Sequence, residues 1–243
     1  MIFNEPTLLI FALIAVTIAA ALQSLTGLGL GVIAAPILVM IDPAFISAPI
    51  LMLGLVLSLL SSFRYRKQLK FGNIGVALLG RLLGSILAIL LLSLLPPLFF
   101  TLAFAFFIIL SVLLSYSHFQ IHYTTKNLLF GGFFSGLAGT TTSVGGPPIA
   151  MVYQNSKLSS ARAELSLFFL VATIISLALL FISGNFSYYQ LQLTMPLLPG
   201  VLLGFCLSLW LNKRFKIHYL KPAIALLSIA SSLIILLQAS NLL

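Results

Sequence analysis

The sequence predicts an all-α polytopic membrane protein, and three observations predict it. Hydrophobic residues make up 61% of the chain, charged residues only 6%, and the apolar residues fall into long uninterrupted runs. Soluble domains carry roughly a quarter charged residues, so this composition cannot cover a water-facing surface. About 20 apolar residues cross a bilayer as a helix. Eight hydrophobic segments can be drawn, at residues 7–41, 45–63, 72–95, 98–116, 127–154, 164–183, 190–211 and 219–240.

Segments one and five are long and interrupted. Gly27-Leu28-Gly29-Leu30-Gly31 and then Pro36 break the first; Gly139 to Pro148, through Thr140-Thr141-Thr142-Ser143 and Gly145-Gly146-Pro147, breaks the fifth. Glycine frees the backbone and proline removes a donor, so neither stretch should continue as a regular helix.

The two breaks correspond to each other. Leu25-Thr26-Gly27 matches Leu137-Ala138-Gly139, Pro36-Ile37 matches Pro148-Ile149, and Gly72-Asn73 matches Gly184-Asn185, all at an offset of 112. Gly80 and Gly84 then match Gly200 and Gly204 at an offset of 120. The order and spacing predict a two-fold internal repeat of four segments each, residues 1–116 and 126–243, in one integrated membrane domain.

Charge sets the orientation. Lys and Arg number 12 against 3 Asp and Glu. The basic residues lie between apolar runs, which points to cytoplasmic loops rather than to nucleic acid. If all eight segments crossed once, Arg64, Arg66, Lys67, Lys70 and Lys126 would lie on one side. Lys157, Arg162, Lys213, Arg214, Lys216 and Lys221 would lie on the other. If segments one and five each enter and leave on the same side, all eleven fall inside and both termini outside. Only the second arrangement obeys the positive-inside rule. It also makes each repeat an odd number of crossings, so the repeats are inverted, a recurring plan of secondary transporters. The N-terminus has no basic region of a signal peptide, so the run from Thr7 reads as mature protein.

The motif Gly27-Leu28-Gly29-Leu30-Gly31 with Pro36, and the motif Gly136, Gly139, Gly145-Gly146-Pro147-Pro148 with Tyr153, resemble the two repeat motifs of the sulfite exporter TauE/SafE family. Chain length and the four-plus-four repeat fit as well. The resemblance implies a cell-membrane transporter moving small anions, among them sulfite, sulfate and organosulfonates. Thr140-Thr141-Thr142-Ser143 stands where that pattern is richer in glycine.

Unwound backbone at membrane depth is tolerated where it lines a wet cavity or is buried in protein. Free N–H groups at a helix start favour an anion. The expected substrate-binding residues are therefore Thr26, Gly27, Gly29, Gly31, Pro36, Gly139, Thr140, Thr141, Thr142, Ser143, Gly145, Gly146, Pro147 and Pro148. The alternative is that the glycines allow close helix packing and the hydroxyls bond backbone carbonyls. Arg81 joins the set because it lies nine residues into segment three. Arginine near a bilayer centre is costly and usually functional, although snorkelling to lipid phosphate is the other reading.

Asp42-Pro43 reads as a helix cap, and Glu164, beside Arg162, as a first-turn acid or a proton-coupling group. His118, His122 and His218, Tyr188, Tyr189 and Trp210 read as interfacial residues. Cys206 is the only cysteine, which excludes an internal disulfide and a thiolate metal cluster. No acid or histidine shares a mid-membrane segment with the serines, so neither an enzyme nor a cofactor or metal site is expected. The partners expected are a small anion and the lipid bilayer. An anion channel, or a proton-coupled uptake carrier, stays open, as does the oligomeric state.

Overall fold

The structure is a computed structural model, and it describes residues 5–27, 30–69, 73–96, 99, 102–103, 106, 109–110, 113 and 121–211. Gly29, Lys70, Gly72, most of segment four, segment eight, His118, His218 and the cations from Lys213 to Lys221 lie outside the described residues. Every regular element among the described residues is helical.

Helix α1 (Pro6–Thr26) starts on a proline, whose missing N–H costs nothing in a first turn. It ends at Gly27, which takes φ 77° while its N–H donates to the Gln23 carbonyl. Glycine tolerates that left-handed conformation best. A second helix, α2 (Gly31–Ile41), follows at once and carries Pro36 within it. Asp42 ends α2, and its carboxylate accepts from the Ala44 N–H at 2.9 Å, capping a 3-10 turn at Pro43–Phe45. The expected Asp-Pro cap is therefore present, on this turn rather than on the next long helix.

Helix α3 (Ala48–Tyr65) and helix α4 (Ile74–Leu94) come next. Helix α5 (Thr125–Thr142), capped by the Thr124 hydroxyl, ends at Ser143 in the left-handed region. Then come the short α6 (Gly146–Val152), the long α7 (Leu158–Ile182), and α8 (Tyr188–Thr194), which opens on a Ser187/Gln190 capping box. A 3-10 turn at Met195–Leu197 joins α8 to α9 (Leu198–Leu211). Helix α7 begins six residues before the apolar segment that predicted it. Glu164 consequently sits in its second turn and is 7% exposed, which corrects the first-turn reading. Hydropathy had no means of including the polar Leu158–Ala163 turn.

Among the described residues, five helices are long and apolar enough to cross a membrane: Pro6–Thr26, Ala48–Gln68, Ile74–Leu94, Ser159–Ile182 and Tyr188–Leu211. Their outer faces carry large exposed apolar side chains, including Phe11, Ile14 and Ile18 on α1, Leu83 and Leu90 on α4, and Phe181 on α7. An apolar surface so extensive suits lipid and not water.

Glycine sets how the helices meet. A Cβ on Gly80 or Gly84 of α4 would strike the backbone of α5 at Leu129 or Phe133; one on Gly132 or Gly136 of α5 would strike α4 at Ala77 or Arg81. The small-xxx-small pairs on both helices let the backbones touch. Contacting residue numbers rise together, so α4 and α5 run parallel. Gly200 and Gly204 of α9 meet Leu13 and Thr17 of α1 in the same parallel sense. Helices α3 and α7 run antiparallel: Ala48 and Leu51 pack near Leu180, while Ser58 approaches Phe169 and Thr173.

The core divides accordingly. One cluster joins α1, α2 and α3 with Leu193, Leu197 and Val201; another joins α5, α6 and α7 with Ala77 of α4. Replacing Gly84 or Gly136 by Leu is expected to abolish monodisperse folded protein in detergent. Gly75, beside open space, should accept Ala with no loss of thermal stability. Fluorescence-detected size-exclusion chromatography after a heating series measures both.

Candidate functional site

Arg81 is the eighth residue of α4, about 11 Å along a helix about 31 Å long at 1.5 Å per residue. The tight α4–α5 contact leaves its side chain nowhere to go but inward, and it is 2% exposed. Snorkelling to lipid is thereby ruled out. Its Nη1 donates to the Ser135 carbonyl and, at 3.0 Å, to the Ser135 hydroxyl; its Nη2 donates to the Ser176 hydroxyl at 2.8 Å. Its Nε has no protein partner. The Thr140 hydroxyl lies 2.8 Å from both Ser85 Oγ and Ser176 Oγ, closing a network of buried hydroxyls around the guanidinium.

The guanidinium reaches the junction of α5 and α6. A Cβ added to Gly145 would lie 2.6 Å from Arg81 Nη1, and one added to Gly139 would lie 2.8 Å from Nη2. Gly31, at the start of α2, sits against the Ser143 carbonyl so closely that any side chain would collide. Together these groups line a cavity of about 40 Å³. One water needs about 10–15 Å³ on this kind of measure, so the space holds a few waters or one very small solute.

Of the expected residues, Gly31, Arg81, Gly139, Ser143, Gly145 and Gly146 line the cavity. Thr26, Gly27, Pro36, Thr140, Thr141, Thr142, Pro147 and Pro148 do not. Their positions explain why. Thr141 and Thr142 bond carbonyls one turn back in α5 at 2.7 and 2.6 Å, and Thr26 bonds the Leu22 carbonyl in α1 at 2.8 Å. Two of the four hydroxyls in the Thr140–Ser143 run, those of Thr141 and Thr142, are thus spent within α5, and that of Thr140 bonds Ser85 and Ser176, against the expectation that all four face an oxyanion. The fourth, Ser143, donates to the Ser47 carbonyl at 2.8 Å, while Ser47 donates to the Thr140 carbonyl at 2.6 Å. These two serines are the non-glycine residues with positive φ among those described, a conformation that costs energy and gathers at functional junctions.

Gln23, Ser58 and Thr173 line the cavity too, and the sequence reading missed all three. Gln23 interrupts an apolar run, which was signal enough; Ser58 and Thr173 are common helix residues that carried none. A second polar group, with Tyr153 and Glu164 buried and Tyr123 exposed, lies nearer the ends of the helices. Tyr123 and Tyr153 meet edge to face at 5.3 Å, and the Tyr123 hydroxyl donates to Glu164 Oε2 at 3.4 Å. Among the described residues, no group of three or more His, Cys, Asp or Glu side chains could hold a metal ion.

The profile of the sulfite exporter TauE/SafE family matches residues 12–235. The chain belongs to this family. It is therefore a multi-pass membrane protein of a transporter family of sulfite-exporter type. No curated protein and no solved structure matches it.

Replacing Thr140 by Val removes the hydroxyl that bridges Ser85 and Ser176, and should lower stability by about 1–3 kcal/mol. Thr141→Val, which loses only a bond within its own helix, should cost less than about 1 kcal/mol. Thermal unfolding in detergent compares the two.

Proposed function

We propose that this protein is a secondary transporter that exports a small anion, of the sulfite or organosulfonate type, across the cell membrane by alternating access. The substrate site is the cavity between the Gly27–Gly31 and Gly139–Gly146 turns. Arg81 carries the reading: it is a buried cation, placed against two helix ends and a cavity, with one N–H unpaired.

The proposed architecture is two inverted four-segment repeats whose first elements are re-entrant. Several contacts support it. Asp42 accepts from Tyr189 at 2.5 Å, which puts the end of α2 beside the start of α8. Since α1 runs parallel to α9, α1 starts at that same end. Likewise Tyr123 and Tyr153, which flank α5 and α6, touch each other. Following helix directions through the packing, α1, α3 and α9 point one way and α4, α5 and α7 the other. Each helix of the first half is thus antiparallel to its counterpart in the second. Gly31 and Ser143, separated by the repeat offset of 112, pack on each other, as equivalent positions do at a pseudo-two-fold axis. Arg64, Arg66, Lys67, Lys126 and Lys157 then share one end, the cytoplasmic one.

The paired Ser47 and Ser143 bonds close the cavity on the opposite, outer side, and opening outward requires breaking them. A membrane negative inside drives an anion out by about 2.3 kcal/mol per charge at about 100 mV, so export needs no coupling ion. Proton-coupled transport is the second reading, favoured by the burial of Glu164 beside Tyr123.

Flux from proteoliposomes loaded with sulfite, sulfate, thiosulfate, a sulfonate or a carboxylate tests the proposal, with the potential clamped by potassium and valinomycin. Flux should follow the potential, and Arg81→Gln should reduce it by about tenfold or more, the scale on which a lost charged contact acts. Flux that follows a pH gradient and ignores the potential would establish proton coupling instead.

A further inference from the structure

A groove of about 670 Å³ opens on the apolar surface between the last turns of α3 and α9. Leu60, Phe63 and Arg64 form one wall, and Phe205, Leu209 and Trp210 the other. Small-ligand sites occupy about 300–1,000 Å³, so the groove has the size of a binding site. Phe63, Leu209 and Trp210 are all exposed.

One end of the groove is charged. Arg64 is half-buried in the last turn of α3. Its guanidinium lies 5.2 Å from the centre of the Tyr65 ring and 5.9 Å from that of Phe205. Arg66 stands over the Phe63 ring at 4.3 Å, and Lys67 follows it, exposed. Cation–π contacts hold both guanidinium groups at the groove, and among the described residues no carboxylate pairs with either. The chain has three acids. Asp42 accepts from Tyr189 and Glu164 from Tyr123, while Glu5 precedes α1 at the opposite end of the helices. Residues 212–243 contain no Asp or Glu, so that stretch offers no acidic side chain to match the cluster. A second copy seated here would bring two basic clusters together, since a two-fold interface sets one patch against itself.

We propose that this groove binds an anionic phospholipid, with its phosphate on Arg64 and an acyl chain along Phe63, Phe205, Leu209 and Trp210. A guanidinium fork matches phosphate oxygens two at a time. Basic pockets between spanning helices suit anionic headgroups. A zwitterionic lipid would bring its own ammonium against Arg66 and Lys67. The proposal is independent of what the protein transports.

Cys206, exposed on the groove wall and the only cysteine in the chain, reports occupancy in the unaltered protein. In delipidated protein in mild detergent it should react with a small maleimide. Phosphatidylglycerol should slow that reaction about fivefold or more relative to phosphatidylethanolamine with the same acyl chains. Arg64→Gln should weaken the phosphatidylglycerol effect about fivefold, the worth of one basic residue at a membrane surface. Inorganic phosphate, which cannot fill the apolar part, should give no protection. Equal slowing by the two lipids, protection by phosphate alone, or an unchanged response in Arg64→Gln would overturn the proposal. So would a Cys206 that stays unreactive in delipidated protein, because another segment or a second copy would then cover the groove.

Discussion

Contact between the backbones of α4 and α5 is the constraint on which the rest depends. Four glycines, Gly80, Gly84, Gly132 and Gly136, remove every side chain from the seam. Arg81 lies within that seam's register, between two of them. Had the helices been held apart by ordinary side chains, its guanidinium would end in the space between helices or in lipid. With the backbones touching, it extends past α5 to Ser135, Ser176 and the glycines at 139 and 145. Close packing and charge placement are one feature here.

That placement has a cost. Arginine within a spanning helix is unfavourable, by up to about 2.5–3.5 kcal/mol at the helix centre on insertion scales. Ser135, Ser176, Ser85 and Thr140, all fully buried, recover part of it by accepting from the guanidinium or from one another. The recovery is incomplete, because Arg81 Nε and Gln23 Oε1 stay unpaired. Glycine rather than a larger residue at 31, 139 and 145 keeps the neighbouring cavity clear.

Much of this was legible in the chain. Composition and segment length gave the membrane class, but the interruptions are narrower than the glycine- and hydroxyl-rich runs predicted: Gly139–Thr142 stay helical in α5, and Gly31 to Pro36 lie within α2. Gly80, Gly84, Gly200 and Gly204 were read only as markers of a repeat, yet each pair packs on the first helix of the other half. Sequence shows that a glycine is small but not which backbone approaches it. For the same reason it could not tell that Thr141 and Thr142 turn back on their own helix while Ser143 reaches Ser47. Gln23 was legible as a polar residue in an apolar run and was passed over. The Glu164 burial was not, since it follows from α7 starting a turn and a half before its apolar segment.

An anion held between Arg81 and the ends of the two helix pairs is the central claim, and cysteine protection tests it directly. With Cys206 replaced by Ser, Ser58→Cys places the sole thiol on the cavity wall. Its labelling by a small maleimide should slow when isethionate or hydrogen sulfite is added, and Arg81→Gln should remove that protection. Labelling at the same rate with and without the anions, in protein that retains transport, would contradict it.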